Sequence, residues 1–157
     1  MATTQAFTSA GTKLSVSAAT PATFDEAGYE ALTFTEVGEI TDMGEFGRVY
    51  ADITHKPINT RQTFHFKGGY DDGGLALTLG FAPGDSGQAL LLGFLDSDEN
   101  LSVKLEFNDN PGGTNNTIYY FPAKVMSAPK QIGNVDSITG ATINLMINGD
   151  IVETPAA

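Results

Sequence analysis

The stretch LALTLGF, residues 75–81, alternates between large apolar side chains and small or polar ones. A period of two places one face of a strand on a core and the other in solvent, which is typical of half-buried antiparallel strands. The same alternation returns in LSVKLEF, residues 101–107, and in ATINLMI, residues 141–147. Three such stretches in one chain predict a mainly β fold.

Weaker patterns add further strands around these three. Residues 13–17, 32–37, 62–67 and 117–125 are rich in β-branched, aromatic or alternating residues, and clusters of Gly, Asn and Asp separate the strands. About seven strands that bury one face each are expected to form an antiparallel β-sandwich or open barrel.

One short helix is predicted at residues 85–96, on the flank of the sheet. Asp85 is placed to cap it, and Gln88 stands three residues later, at the spacing of a capping box. The acids near its C-terminal end oppose the helix dipole, so the helix is expected to be short and held by packing.

Composition favours a single globular domain over residues 1–157. Hydrophobic residues make up 41% of the chain and charged residues 17%, and there is no cysteine for a disulfide or a thiolate metal site. The sequence contains no run of 18 apolar residues, and its first residues lack the pattern of a secretory signal. We therefore expect synthesis in the cytoplasm and no membrane partner.

The chain is strongly acidic, with 19 Asp and Glu against 8 Lys and Arg and a net charge of −11. Proteins that grip nucleic acid use Lys and Arg to neutralise phosphates, so tight nucleic-acid binding is not expected. Enclosing nucleic acid without adhering to it is compatible with this charge. Acidity that serves solubility alone is the other interpretation.

Residue patterns for catalysis are weak. His55 and His65 have no second histidine at metal-ligand spacing, and both are interpreted as structural. Asp71 and Asp72 offer the two carboxylates of a glycosidase, but the chain has no tryptophan to stack on a sugar ring. We expect no catalytic residue, metal site or cofactor. A carbohydrate-binding β-sandwich and an acid-dependent hydrolase are kept as alternatives.

A long connection separates two of the predicted strands. Residues 38–61, GEITDMGEFGRVYADITHKPINTR, exceed the usual length of a structureless loop and contain many apolar side chains. Because fixing each backbone unit costs about 1–2 kcal/mol, such a segment needs a surface to cover it. One possibility is a neighbouring subunit. The other is a helix on the domain's own core, since Ile40, Met43, Phe46 and Val49 are spaced by threes.

We interpret this extended loop as a self-assembly element. Its candidate contact residues are Ile40, Asp42, Met43, Glu45, Phe46, Arg48, Val49, Tyr50, Ile53 and Ile58. Residues 1–10 and 153–157 are expected to be arms, either frayed or ordered on a neighbouring subunit.

Six short stretches follow one another over residues 11–153 in an order and spacing known from one family. They are GTKLSVS (11–17), FTEVGEITD (34–42), GQALLL (87–92), YYF (119–121), NVDSI (134–138) and DIV (150–152). By this pattern the chain resembles the tail tube proteins, or major tail proteins, of long non-contractile-tailed (siphovirus-type) phages. Gene transfer agents use similar tubes, so a phage-derived particle is equally compatible.

The resemblance implies a β-sandwich or barrel with a flanking helix, assembled into hexameric rings that stack into a hollow tail tube. It also implies that residues 38–61 reach an adjacent ring and that both termini make ring contacts. The acids of this segment then either pair across rings, in which case assembly should be sensitive to charge reversal at Glu45 or Arg48, or face the channel. The channel lining would be acidic, through residues that the resemblance does not assign, so that DNA slides through during ejection. The implied partners are other copies of the chain and the tape measure, tail terminator and distal tail or baseplate proteins of a virion. A decoration module of a phage particle is the remaining alternative.

Overall fold

The structure, a computed structural model, describes residues 4–157. Those residues form eleven strands and two helices, in this order along the chain: β1 Lys13–Ser17, α1 Glu26–Glu30, β2 Thr35–Glu36, β3 Ile40–Asp42, β4 Val49–His55, β5 Phe64–Asp71, β6 Gly74–Gly80, α2 Ser86–Gly93, β7 Leu101–Glu106, β8 Ile118–Ser127, β9 Lys130–Gln131, β10 Gly140–Ile147 and β11 Val152–Thr154.

Nine of these strands form one curled, half-barrel sheet in which every pairing is antiparallel. The strand order is β2-β1-β7-β8-β10-β6-β3, with β11 added to β8 and β9 added to β10. The prediction of a mainly β, antiparallel sandwich or barrel with a short helix is confirmed.

The alternating stretches supply the core, as their pattern predicts. Leu75, Leu77 and Leu79 of β6 are at most 2% exposed, whereas Ala76 and Thr78 between them are exposed. Burying a leucine side chain contributes about 1.5–3 kcal/mol, so the three together are a main source of stability. The inward residues of β1, β7, β8 and β10 join the same core cluster.

Helix α2 fastens the end of β6 to the start of the 38–61 segment. The Asp85 carboxylate caps the helix by accepting from the Gln88 backbone N–H at 3.0 Å. The Gln88 side chain does not complete a capping box. It is buried and donates to the carbonyl oxygens of Gly38 and Gly80, at 3.0 and 2.9 Å, while accepting from the Ala82 N–H. The helix ends at Gly93, three residues before the predicted end.

A second helix, α1, was not predicted because its five residues are too few to show an apolar period. Its N-cap is Asp25, which accepts from the Gly28 N–H at 2.8 Å. Its one fully buried aromatic, Tyr29, stacks on Tyr120 with ring centroids 5.3 Å apart. Burial raises the pKa of Tyr29 to about 12.

Residues 152–157 lie against the domain itself. Residues 153–157 were expected to form a tail, but Glu153 and Thr154 belong to β11, and the Asn110 side chain donates to the Ala157 carbonyl at 2.8 Å. At the other end, residues 4–10 are exposed, and Phe7 meets the edge of Phe107 at 5.9 Å. Residues 1–3 of the predicted N-terminal segment lie outside the described residues.

Next to the chain end, Asp109 holds the β7–β8 connection closed. Burial alone would raise the pKa of Asp109, but donation from the Thr117 hydroxyl and backbone N–H outweighs it and lowers the pKa below the ordinary value. The carboxylate is therefore charged and bound at neutral pH.

Replacing Gln88 by Ala is expected to lower the free energy of unfolding by about 2–4 kcal/mol. The substitution leaves the Gly38 and Gly80 carbonyls and the Ala82 N–H without their buried partner, and each such group costs about 1–3 kcal/mol when water cannot fully replace the bond. Urea unfolding would measure the loss. Gln131→Ala, at an exposed position, is the control, and equal small effects of the two substitutions would contradict the role given to Gln88.

Candidate self-assembly surface

Residues 38–61 do not form one extended loop; the structure divides them into two parts. The first part contains β3, which pairs with β6, and continues to Gly47. The second part contains β4, which forms a two-stranded sheet with β5. We call β4, β5 and their connecting turn, residues 49–71, the arm. The prediction of a helix through Ile40 and Val49 is wrong, because these residues lie in two strands and the glycines between them take positive φ angles.

The first part packs on the domain's own core. Ile40, Met43 and Phe46 are partly buried against the core cluster, and the Phe46 ring lies 5.5 Å from Tyr119 and 5.9 Å from Phe121. These three predicted assembly residues are thus partly covered within the chain. Asp42 and Glu45 remain exposed, and the Asp42 carboxylate accepts from the Gly44 N–H at 2.7 Å.

The arm stands away from the main sheet. Among residues 4–157, β4 and β5 pair with each other and with no other strand. Every residue of β4 is exposed, and so is every residue of β5 except Gly68. Because an isolated two-stranded hairpin is marginally stable at best in water, the arm gains most from a surface that covers it.

A β-bulge sets which side chains share a face of the arm. Asp52 pairs with Lys67 and Tyr50 with Tyr70, so two steps along β4 match three steps along β5. The extra residue falls at Gly68-Gly69. Since directly opposed residues point to the same side of a hairpin, the bulge keeps Tyr70 beside Tyr50.

The first face of the arm is polar and its side chains contact one another. The Tyr50 and Tyr70 rings lie 5.5 Å apart. The Arg48 guanidinium sits 3.9 Å over the Tyr70 ring, and the Lys67 ammonium sits 4.8 Å over the Tyr50 ring. Each aromatic ring therefore already has a cation on it.

The two histidines of the chain both lie on the arm. His65 Nδ1 is 3.0 Å from both carboxylate oxygens of Asp52, on the polar face. His55 ends β4 and is exposed. Within residues 4–157 there is no group of three or more His, Cys, Asp or Glu side chains that could hold a metal ion.

The second face of the arm is apolar and uncovered. It presents Val49, Ile53, Phe64 and Phe66, whose side chains are between 39% and 69% exposed, and Ile58 in the turn beyond them is fully exposed. Phe64 and Phe66 were missing from the predicted assembly residues. Their alternation with His65 and Lys67 was visible in the sequence. It indicated only that these residues form a strand, and not that the strand lies outside the main sheet.

An ion pair fixes the root of the arm to the domain. Arg48 Nε donates to Asp72 Oδ1 at 3.0 Å, and Asp72 is only 7% exposed. The hydrogen bond to Asp72 raises the pKa of Arg48 above its ordinary value. Arg48 Nη2 also lies 3.6 Å from Asp150. The predicted assembly residue Arg48 therefore has its ion-pair partners within its own chain. The Asp72 carboxylate, which was considered for hydrolysis, is bound in the same pair.

Several solved structures contain chains with this fold. A chain of the anti-feeding prophage baseplate, reconstructed with six-fold symmetry, superposes with a TM-score of 0.72 over 98% of both chains, at 10% identity. A chain of the extended sheath/tube terminator of the extracellular contractile injection system PVC gives 0.67 over 96% of this chain and 97% of that one, at 11% identity. The SPP1 tail tube gives 0.60 over 92% of this chain and 76% of that one, at 14% identity.

These likenesses establish a shared fold over nearly the whole chain. One of the three structures belongs to a contractile injection system, so the fold is not confined to the non-contractile-tailed phages suggested by the sequence. No protein-family profile and no curated protein sequence matches the chain. Among the described residues, no helix is long and apolar enough to cross a membrane.

Replacing Asp72 by Asn is expected to loosen the arm at its root and to cost about 1–3 kcal/mol of unfolding free energy, because the buried negative charge is lost and its charge-assisted hydrogen bond with Arg48 is weakened. Hydrogen exchange should accelerate in β4 and β5 more than in β6. Asp150→Asn is the matched control. Asp150 is 79% exposed and its contact with Arg48 is longer, so an effect below about 0.5 kcal/mol is expected. Equal exchange in the two variants would contradict the assignment.

Proposed function

We propose that this chain is the subunit of a hollow tube in a phage-like particle, built by self-assembly of identical copies. The observation that carries the proposal is the arm, a two-stranded sheet with an apolar face that none of residues 4–157 covers. The full-length fold likeness to chains of tube, terminator and baseplate assemblies supports the same role.

In this proposal the copies form rings, hexameric as in the family that the sequence resembles, and the rings stack. The arm crosses from one ring to the next. The arm contributes four of the contact residues predicted from the sequence, Val49, Tyr50, Ile53 and Ile58. Phe64 and Phe66 are added to them. Asp42 and Glu45 are exposed beside the root and are proposed to face a neighbouring subunit. Terminator, tape measure and baseplate proteins are the further partners, and the finished tube is part of a virion or a gene transfer agent.

The charge of the chain suits a conduit for DNA. Residues 48–71 hold four of the eight Lys and Arg and two of the 19 Asp and Glu, so the rest of the chain carries four bases and 17 acids. A wall lined by such a body repels phosphates within about 8–10 Å at physiological salt, and DNA would pass without adhering.

The proposed role is structural rather than catalytic. Asp72 is bound by Arg48, and the Asp71 carboxylate accepts from the Gly73 N–H at 2.9 Å, so both acids of the hydrolase alternative have structural partners. The tyrosine pair of the arm is the natural platform for a sugar ring, but Arg48 and Lys67 occupy its rings. Neither alternative has an observation that favours it.

Electron microscopy of the concentrated chain, alone and with a tail-tip complex as nucleator, tests the proposal. Tubes of constant diameter are expected from the unmodified chain. If only monomers are seen under both conditions, the chain is not a tube subunit.

The double substitution Ile53→Ser/Phe66→Ser is expected to give a folded monomer whose assembled fraction is reduced more than about tenfold. Each apolar side chain is worth about 1.5–3 kcal/mol when buried, and 1.4 kcal/mol is a factor of ten in association. Circular dichroism would check the fold and sedimentation the assembly. Thr54→Asn, next to Ile53 but on the polar face, is the control and should assemble normally. Loss of folding in the double variant, or normal assembly, would contradict the role given to the apolar face.

A further inference from the structure

A second uncovered apolar surface lies in the connection between β9 and β10. Ile132, Val135 and Ile138 are 73%, 98% and 86% exposed. We call residues 132–139 the β9–β10 loop. A single exposed aliphatic residue is ordinary, but three within seven positions make this loop a candidate interaction site.

The arm and the β9–β10 loop lie at opposite ends of strand β6. The arm root is at the start of β6, where the Ile147 N–H donates to the Gly73 carbonyl. The loop is at its end, where Gly140 pairs with Gly80 and the Phe81 N–H donates to the Thr139 carbonyl. The seven residues of β6 separate these ends by roughly 20 Å.

The arm and the β9–β10 loop carry net charges of opposite sign. Residues 48–71 have four bases against two acids, and within residues 4–157 neither Lys56 nor Arg61, in the turn of the arm, takes part in an ion pair. At the loop end, Glu39 and Asp136 are exposed. The base nearest to the loop, Lys130, lies 5.3 Å over the Phe81 ring.

We propose that the arm of one copy docks on the β9–β10 loop of the next copy, its apolar face on Ile132, Val135 and Ile138 and its basic turn near Glu39 and Asp136. This inference rests on the proposed tube function and names the surface that receives the arm. Two different surfaces at opposite ends of one chain make a heterologous contact, which repeats from copy to copy and produces an open stack as long as the rotation between copies does not close a ring. An arm-to-arm contact would instead close as a dimer and would leave the β9–β10 loop exposed.

Charge reversal tests the electrostatic part. Lys56→Glu/Arg61→Glu is expected to lower the assembled fraction about three- to tenfold at low salt, because exposed ion pairs are individually weak. Adding Glu39→Lys/Asp136→Lys to the same chain should restore assembly. Lys13→Glu/Lys124→Glu, at two bases outside both surfaces, controls for net charge. Failure of the compensating pair to restore assembly would contradict this contact.

Cross-linking tests the docking itself, and the chain has no cysteine that would interfere. Ile58→Cys in the turn of the arm and Val135→Cys in the loop are combined in one chain, assembled, and treated with a short bismaleimide. A ladder of covalent multimers is expected from the double variant, dimers from a mixture of the two single variants, and monomers from either single variant alone.

The matched control pair is Ile58→Cys/Ser9→Cys. Ser9 lines a groove of about 570 Å³ beside β3, a surface outside the β9–β10 loop that is also partly apolar and that serves as the alternative seat for a neighbour's arm in this test. A ladder from the control pair, or dimers from Ile58→Cys alone, in tubes that assemble normally would overturn the inference and leave the tube function standing. Absence of tubes from the unmodified chain would instead overturn the tube function.

Discussion

The antiparallel pairing of β6 with β10 is the interaction on which the rest of the structure depends. It buries Leu75, Leu77 and Leu79 against Ile143 and Leu145, and it fixes the register from Gly74 to Gly80. The same register decides where the uncovered surfaces lie. The arm leads into the start of β6, and the β9–β10 loop leads into the start of β10, which pairs with the end of β6. A slip by one residue would turn the leucines outward, so the core and the placement of both surfaces are specified together.

The arm is oriented by its root rather than by packing along its length. The chain enters it through Gly47, with φ 150°, and leaves it through Gly73, with φ 76°. Residues other than glycine rarely adopt either backbone angle. The Gly47 N–H donates to the Asp72 carbonyl, and the Asp72 carboxylate holds Arg48. Two backbone turns and one partly shielded ion pair thus hold a sheet of two strands in a defined direction. Beyond the root, the stability of the arm depends on whatever covers its apolar face.

The strands of the core were predictable because their period of two is a local property of the sequence. The arm was not, because Phe64 and Phe66 alternate with polar residues as those of any sheet strand do, and nothing local shows that β4 and β5 lack further neighbours. The length and apolar content of residues 38–61 did indicate a buried or assembling segment. They did not separate Phe46, which packs partly buried against the core, from Ile53, which is exposed, since both are large apolar residues that follow an acidic one. That distinction depends on β3 pairing with β6, a contact between residues far apart in the sequence.

In the proposed tube, the distribution of charge would give the arm a second function besides burying apolar surface. Subunits that each carry −11 repel one another, and this repulsion opposes any stack while it keeps free chains soluble. A basic arm on an acidic body places opposite charges together at one contact and leaves like charges together elsewhere. Attraction of this kind mainly sets which surfaces meet and how fast they associate, and it adds less to the affinity. Salt screens this attraction. The apolar face would then hold the contact that the charges select, which explains why both kinds of residue occur on one hairpin.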